Sequence, residues 1–397
     1  MDRLKRISDL KNRSIPIEVA SRNIVIALPP SDFIKQELEE REWTQAAFAR
    51  TINMSPAYVN SLITNKTRIN PQLALLLGKA FNQDPQIWMG LEMDYQKDLA
   101  KGKPELMEVE IRSQLYDLLP IDQMVERHMI KAGKSAYELL ESVLRLLQLD
   151  KLDDAHIENK LAGAFRTTAR PQNALTLLAW LNSARKKAGP KKTGRSFNRK
   201  AIEAEVDNFK YLTNEEDGPI KVINILWNNG VRVIHHANLK KISVDGAAFW
   251  IDEETPIVVL SFHLKRLDNF WFTLMHELGH ILIDGFFTNY DYSEFRIGKG
   301  AGHIEEQANR FASDALIPPD LWAYIVKRCD TKYLSGRMLH GFASVADVHP
   351  AIIAGRLKKE GIVEWDHFNK GVFGETIDVD KVISTIDSLL KQRDKAI

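Results

Sequence analysis

The segment FWFTLMHELGHILID, residues 270–284, constrains the fold of this chain more than any other feature. His276 and His280 are four residues apart, so on a helix they share one face, and Glu277 lies beside them. The remaining positions are apolar at helical spacing and predict burial: Trp271, Leu274, Leu278, Ile281 and Leu282. Burying two imidazoles and a carboxylate is costly unless a partner stabilises them. Any fold of this chain must therefore bring such a partner to this helix.

The spacing of these three polar residues suits a metal ion. Two imidazoles one turn apart can bind one cation, and the offset of Glu277 lets its carboxylate reach water activated by that cation. This is the HExxH pattern of zinc peptidases. The sequence contains a single cysteine, Cys329, which excludes a cysteine-rich zinc finger and an intrachain disulfide framework. A metal site must therefore use histidines and carboxylates, and two histidines leave a catalytic zinc one protein ligand short.

A second helix, HIEEQANRFASDALIPP at residues 303–319, offers the third ligand. Glu305 and Asn309 lie one turn apart on one face, so a single turn can supply a ligand and an amide that accepts a hydrogen bond from a ligating imidazole. Glu306 is the competing ligand. The packing side of this helix consists of small and apolar residues that allow close approach to the first helix: Ala308, Phe311, Ala312, Ala315 and Leu316.

These two helices resemble the ImmA/IrrE family of metallopeptidases. The signature of that family is HExxH followed by a Glu-x-x-Ala-Asn-x-Phe-Ala helix that ends in Leu-Ile-Pro or Leu-Met-Pro. In this sequence that helix runs from Glu305 to Pro318, and the resemblance extends from Val231 through FASVADVHPAIIAGRLKKEG.

The resemblance implies an α+β, zincin-like peptidase domain that binds Zn²⁺ through His276, His280 and Glu305. Glu277 would be the catalytic base that takes a proton from water and returns it to the leaving amine. The strand PIVVLS, 256–261, is expected to be the edge strand along which a peptide aligns. A degenerate zincin that only senses or packs is the alternative. No oxyanion stabiliser can be identified; the unranked candidates, each alternatively a surface or helix-cap residue, are His263, His303, His340 and His349.

Residues 31–97 show a series of short helices separated by turns. Thr44 is a good N-cap for one helix, and Ser55 with Pro56 is a good N-cap and first-turn pair for the next. The short turn between these helices requires a residue that tolerates a left-handed conformation, and Asn53 occupies that place. Small and apolar residues stand where such helices cross and lock together: Ala49, Val59 and Leu62.

The segment from Asp32 to Glu92 resembles the repressor-type helix-turn-helix of the HigA antitoxins. In that family the second helix enters the major groove of DNA. The resemblance places five residues at or near base edges, with Asn60 suited to adenine: Pro56, Ala57, Tyr58, Asn60 and Ser61. Three more would lie near phosphates: Gln45, Lys66 and Arg68. The implied partner is duplex DNA, bound by a homodimer at a palindromic operator, and the alternative is a bihelical packing unit that binds no DNA.

Changes of composition predict further boundaries. The segment RKKAGPKKTGRSFNRK, 185–200, has eight basic residues and no acid. It predicts an exposed basic linker or, alternatively, a strip that contacts phosphates. A weaker boundary falls at Lys97–Pro104, and 105–184 is expected to be a helical connector in which Ser135 and Glu138 form a capping box. Beyond the linker, VRVIH, AAFWI and PIVVLS predict strands, the last two as a hairpin.

The predicted organisation is multidomain: an all-α helix-turn-helix domain and a helical connector precede an α+β zincin-like metallopeptidase domain. An N-terminal extension occupies 1–30 and the helix-turn-helix domain occupies 31–97. The connector at 105–184 and the linker at 185–200 follow. The peptidase domain, with a C-terminal helix, occupies 201–397.

Charge and hydropathy narrow the function. The 54 Lys plus Arg nearly balance the 53 Asp plus Glu, so only a local basic surface could bind nucleic acid. The chain lacks an uncharged apolar stretch of about 18 residues and a signal-peptide core, so we expect no membrane partner and a cytoplasmic location. We expect a DNA-binding transcriptional regulator carrying a zinc-dependent endopeptidase that cleaves a repressor or antitoxin-like protein. The alternatives are a HigA-like antitoxin or autorepressor whose peptidase domain senses a ligand or binds a toxin, and a peptidase whose helix-turn-helix only dimerises.

Overall fold

The computed structural model describes residues 28–100, 103–158, 173–189, 195–284, 303–329, 334–364 and 375–394. The chain divides into two compact units, Met1–Gln114 and Leu115–Ile397. Of the predicted N-terminal extension, residues 1–27 lie outside the described ranges. Within the described ranges, no helix is long and apolar enough to cross a membrane.

Short helices form the first unit: α1 Pro30–Glu40, α2 Gln45–Thr51, α3 Pro56–Ile63, α4 Pro71–Phe81 and α5 Pro85–Ala100. The side chain of Thr44 accepts a hydrogen bond from the Ala47 N–H, and that of Ser55 accepts one from the Tyr58 N–H. Both predicted N-caps are therefore confirmed. Asn53 has a φ of 54°, which confirms the left-handed residue predicted in the turn.

Aromatic and aliphatic side chains hold these helices together. The ring of Phe81 stacks on that of Phe48 with centroids 5.2 Å apart, and it lies 5.6 Å from the ring of Trp88. The residues predicted to lock the helix pair are all buried: Ala49, Val59 and Leu62. Because burial of one large apolar side chain contributes about 1.5–3 kcal/mol, this core fixes α3 firmly on its inner face.

The predicted helical connector contributes to the second unit. Its described helices are α6 Pro104–Leu118, α7 Ile121–Glu126, α8 Ala136–Leu147 and α9 Ala174–Ala188. The Ser135 side chain accepts a hydrogen bond from the Glu138 N–H, as predicted for the N-cap of α8. The weaker boundary predicted at Lys97–Pro104 falls between α5 and α6, whereas the division between the two units falls within α6.

A three-stranded sheet lies in the second unit. Helices α10 and α11 precede it, at Arg199–Leu212 and Gly218–Asn228. The strands are β1 Arg232–His235, β2 Gly246–Trp250 and β3 Pro256–Leu260. β3 is the middle strand, parallel to β1 and antiparallel to β2, which confirms the predicted hairpin. The prediction that PIVVLS is an edge strand is wrong, because β3 is hydrogen-bonded on both sides; among the described residues, β2 is an edge.

The basic segment 185–200 is not an exposed tether where the structure describes it. Its first residues form the last turn of α9, a helix buried almost throughout that packs against β1 and α8. Arg185 donates a hydrogen bond to the Trp250 carbonyl, and Lys187 donates one to the His235 carbonyl. Basic residues in a last helical turn complement the helix dipole and lay their alkyl stems on apolar surface. Their charge therefore does not indicate a linker.

The second half of that segment is also folded where it is described. Residues 190–194 lie outside the described ranges. After them, the Phe197 N–H donates to the Glu254 carbonyl at 3.3 Å, and the Asn198 side chain caps α10 by accepting from the Ala201 N–H. On both sides of the gap the segment is thus part of the folded second unit rather than a tether, although most of its described basic side chains are exposed, as expected.

The remaining described helices follow the sheet: α12 Leu267–Gly279, α13 His303–Leu316, α14 Pro319–Arg328, α15 Gly336–Ala346, α16 Pro350–Lys359 and α17 Val379–Asp394. α12 continues into a π-helical turn, His280–Asp284. A Cβ atom on Gly279 would lie 3.3 Å from Cα of Ala308 and 3.1 Å from the ring of Phe311. α12 and α13 therefore pack closely, as the small residues predict. An all-α unit followed by an α+β unit confirms the predicted fold class.

Candidate metal centre

Three side chains converge at the metal site predicted from the sequence. α12 supplies His276, the π-turn supplies His280, and α13 supplies Glu305. The two Nε2 atoms are 3.2 Å apart. Nε2 of His276 lies 3.3 Å from Oε2 of Glu305, and Nε2 of His280 lies 3.5 Å from Oε1. The three residues thus direct their ligand atoms at one small volume.

The spacing and chemistry of this cluster fit a tetrahedral cation. Ligand atoms bound at about 2.0–2.2 Å from a tetrahedral ion are about 3.3–3.6 Å from one another, which is close to the distances observed. His280 and Glu305 are each only 7% exposed, so water cannot fully solvate the cluster. Two imidazoles and one carboxylate leave a fourth position open, as in catalytic metal sites rather than structural ones.

Asn309 orients one of the imidazoles. Nδ1 of His276 donates a hydrogen bond to Oδ1 of Asn309 over 3.1 Å, which leaves Nε2 as the atom that faces His280 and Glu305. A hydrogen bond of this kind fixes the tautomer and the ring orientation of a ligand. Glu306, the competing ligand in the sequence analysis, is exposed and does not join the cluster.

Glu277 lies beside the cluster but is directed at the sheet. Its side chain is so close to β2 that a Cβ atom on Gly246 would lie 2.9 Å from its Oε1. Burial raises the pKa of the Glu277 carboxyl to about 7, although the neighbouring His276 and His280 act in the opposite direction. A carboxyl group with a pKa near neutrality can both accept and return a proton, which is the requirement for an acid–base catalyst.

The four histidines considered as oxyanion stabilisers lie outside the metal cluster. His349 caps α16, and its Nε2 lies 2.9 Å from a carboxylate oxygen of Glu375. His263 pairs with Asp245, Nδ1 to Oδ1, over 3.1 Å. The other two are exposed: His303 and His340. These positions agree with the alternative of cap and surface residues.

In the first unit, most of the predicted DNA-contacting residues are exposed on α3 and its surroundings: Gln45, Pro56, Ala57, Asn60, Lys66 and Arg68. Tyr58 is half-buried and packs against the hydrophobic core. The Ser61 hydroxyl is already engaged within the chain, since it donates to the Tyr58 carbonyl at 2.7 Å and lies 2.6 Å from Oγ1 of Thr67. Ser61 therefore fixes the turn after α3, and its hydroxyl does not point freely at a base.

Sequence analysis missed two residues of α5 that hold the loop following α3. Oε2 of Glu92, which is 7% exposed, accepts a hydrogen bond from the Ile69 N–H at 3.1 Å. The Tyr95 hydroxyl accepts one from Nδ2 of Asn65 at 2.8 Å. The sequence signal was an acidic residue, Glu92, on the face of α5 that also carries Trp88. The hydrogen-bond partners of Glu92 and Tyr95 lie 23 and 30 residues away along the chain, so the sequence did not identify them.

Two family profiles match the chain. The profile described as "Helix-turn-helix" matches residues 34–88, which extend from α1 into α5. The profile described as "IrrE N-terminal-like domain", from a peptidase family, matches residues 229–344. The second match contains the three candidate ligands and Glu277.

Individual proteins are similar over shorter stretches. The HTH-type transcriptional regulator YddM of Escherichia coli (strain K12) is 30% identical over 63 residues, 16% of this chain and 67% of the relative. Virulence-associated protein I of Dichelobacter nodosus is 27% identical over 89 residues, 22% of this chain and 80% of the relative. The solved structure of Pseudomonas aeruginosa antitoxin HigA with the higBA promoter is 29% identical, with 19% of this chain and 82% of that chain covered and a TM-score of 0.18.

Proposed function

Because the chain belongs to the helix-turn-helix transcriptional regulators in its first unit and carries an IrrE-like peptidase domain in its second, we propose that it is a DNA-binding regulator with a zinc-dependent endopeptidase. The observation that carries the enzymatic part is the cluster of His276, His280 and Glu305, with Glu277 buried beside it. No packing role accounts for four such groups in one nearly dry volume.

Zinc is the metal proposed for this cluster. Two imidazoles and a carboxylate with one open position are the ligand set of a catalytic zinc. Carboxylate-rich sites suit magnesium or calcium better, and this cluster offers one carboxylate only. Zinc bound there would polarise a peptide carbonyl and lower the pKa of water. Asn309 would hold the His276 ring in the orientation that metal binding needs.

Glu277 would carry the protons of the reaction. Its carboxylate takes a proton from the attacking water and returns it to the amine that leaves when the peptide bond breaks. β2 would align the substrate, because it is an edge of the described sheet and passes directly beside Glu277. An extended peptide can hydrogen-bond to such an edge as an additional strand. This assigns to β2 the role first expected of β3.

The proposed substrate is a repressor or antitoxin-like protein, the chain itself included. The support is that a DNA-binding unit and a peptidase unit occupy one polypeptide, so that proteolysis can act on promoter occupancy. In the first unit, α3 would enter the major groove of an operator, with Asn60 near a base edge and Lys66 and Arg68 near phosphates. A homodimer would match a palindromic site.

The experiment compares wild type with Glu277→Gln, which keeps all three ligands and removes the base. The purified, zinc-loaded chains are incubated with repressors encoded nearby and with the chain's own catalytically inactive form, and new protein termini are identified by mass spectrometry. Wild type should cleave, and Glu277→Gln should be slower by about 10²- to 10⁴-fold.

Glu306→Gln is the matched control, since it makes the same chemical change on an exposed residue next to a ligand. It should cleave like wild type. If Glu277→Gln cleaves as fast as wild type, the peptidase proposal is wrong. If neither chain cleaves any of these proteins although zinc is bound, the second unit is a sensing or toxin-binding scaffold, as in the HigA-like alternative.

A further inference from the structure

The contact between strand β2 and the side chain of Glu277 points to a further residue of the site. A Cβ atom built on Gly246 would lie 2.9 Å from Oε1 and 3.0 Å from Cγ of Glu277, and 2.7 Å from Cγ2 of Thr273. Such distances are too short for carbon, so any side chain at this position forces a neighbour to move. We infer that Gly246 is a positioning residue, which sets the place of the Glu277 carboxylate by leaving room for it against the strand.

The strand is unable to move away from the carboxylate. Gly246 pairs with Leu260 on the middle strand of the sheet. The preceding residue, Asp245, is held twice: its carbonyl accepts a hydrogen bond from the Ser261 N–H at 3.0 Å, and its Oδ1 accepts one from Nδ2 of Asn269 at 3.1 Å. A retreat of β2 would break these bonds together, so the strand stays where it is.

Helix α12 is unable to move either. Thr273 is 7% exposed, and its β-branched side chain has restricted χ1 freedom. The next turn is anchored by Leu274 and Met275, both fully buried, and the helix packs against α13 and α16. A shift of the helix would open cavities in this core, which is unfavourable. The atoms that can give way at low cost are the terminal atoms of Glu277.

A methyl group at position 246 should therefore displace the carboxylate of the base, and its contact with Cγ2 of Thr273 should also lower the stability of the second unit. The inference rests on the proposed function, because it assigns Gly246 a role only through Glu277. A misplacement on the order of 1 Å in a catalytic group can cost about 100-fold in rate. It should not alter metal binding, since none of the three ligands touches Gly246 in the contacts described.

Acetohydroxamate binding tests the inference without a known substrate. A hydroxamate binds a metal of this kind through two oxygens and gives its proton to a nearby carboxylate, so its affinity depends on where that carboxylate lies. The full chain is loaded with Co²⁺, and the dissociation constant is read from the visible absorption of the metal. Gly246→Ala should raise the constant by about tenfold or more, with one metal still bound per chain. Gly341→Ala, at a position with no atom within 4 Å of the new Cβ, should change nothing.

A double-mutant cycle separates positioning through Glu277 from a general structural effect. Glu277→Gln alone should weaken acetohydroxamate binding, and adding Gly246→Ala to it should cause no further loss. Equal losses from Gly246→Ala in the two backgrounds, or wild-type affinity in Gly246→Ala, would overturn the inference and leave the proposed function standing. If Glu277→Gln itself binds acetohydroxamate like wild type, the proposed base and the positioning role are both wrong.

Discussion

The proposed recognition surface of the first unit and the candidate metal centre of the second place their side chains in opposite ways. Asn60, Lys66 and Arg68 are exposed on a framework whose core lies behind them. His280 and Glu305 are buried and come from different helices. Loss of an exposed contact leaves the fold unchanged and removes only a fraction of the binding energy. A buried ligand depends on the whole packing around it, so its loss removes the function.

The largest expected effect tests whether the two units are independent in stability. Trp88 in the first unit and Trp180 in the second are both fully buried, and each substitution by Ala should destabilise its own unit by about 3–5 kcal/mol. Trp180→Ala should also reduce zinc content, whereas Trp88→Ala should leave zinc content unchanged. Calorimetric unfolding together with elemental analysis measures both. Loss of zinc in Trp88→Ala would show that the two units are not independent in stability.

The second prediction uses histidine, because all 11 histidines lie after residue 114. Burial lowers the pKa of His236 to about 3, and its Nε2 has no hydrogen-bond partner. As pH falls, His236 therefore becomes protonated at a higher pH in the unfolded chain than in the folded chain. His236 should therefore lower the stability of the second unit progressively from about pH 6.5 to about pH 3, by on the order of 4 kcal/mol, while the first unit does not share this contribution.

Thermal unfolding at several pH values, with a chelator in every sample to remove metal effects, measures that dependence. His236→Phe keeps a ring beside Trp180 and removes the titrating group. It should reduce the pH dependence of the second unit, and His235, whose pKa burial lowers to about 4, accounts for part of what remains. An unchanged slope in His236→Phe would contradict the assignment to this residue.

The third prediction concerns the metal centre alone. Asn309→Ala removes the acceptor for Nδ1 of His276 but no ligand, so zinc affinity should fall by about 10- to 100-fold and not vanish. Competition with a fluorescent chelator measures it. Asn309→Asp is the matched variant, because it restores an acceptor oxygen and should retain most of the affinity. Wild-type affinity in Asn309→Ala would show that this hydrogen bond does not matter for binding.

The smallest expected effect belongs to the exposed surface. Asn60→Ala should cost roughly 1–3 kcal/mol on the operator and little on random duplex DNA, because a base contact is sequence-specific. Lys66→Ala is the matched variant: it should weaken binding to both DNAs alike and lower the salt slope by about 1. Titrations by fluorescence anisotropy at several salt concentrations measure both. Equal losses for Asn60→Ala on the two DNAs would refute base recognition by Asn60.

Local features of the fold were predictable from the sequence. The caps Thr44 and Ser55, the turn residue Asn53 and the shared face of His276 and His280 follow from rules that act within a few residues. These residues occupy the positions that the rules predict, because helix caps and helix faces depend on residues only a few positions apart in the chain.

Features that depend on distant partners were not predictable. The order of the strands decides that β3 is central, and no property of PIVVLS itself reports it. The basic residues 185–187 belong to a helix that is buried almost throughout because the sheet packs against it, and charge alone does not reveal this. No feature of the sequence singled out Gly246, and only its approach to Glu277 in the structure reveals a role.

The central claim is that His276, His280 and Glu305 together hold one zinc ion while Glu277 does not. Elemental analysis of purified chains tests it most directly, with wild type, Glu277→Gln, Glu306→Gln and the double variant His276→Ala/His280→Ala prepared side by side. The account predicts about one zinc per chain in the first three and almost none in the double variant, with all four folded by circular dichroism. Full zinc occupancy in the double variant would contradict it.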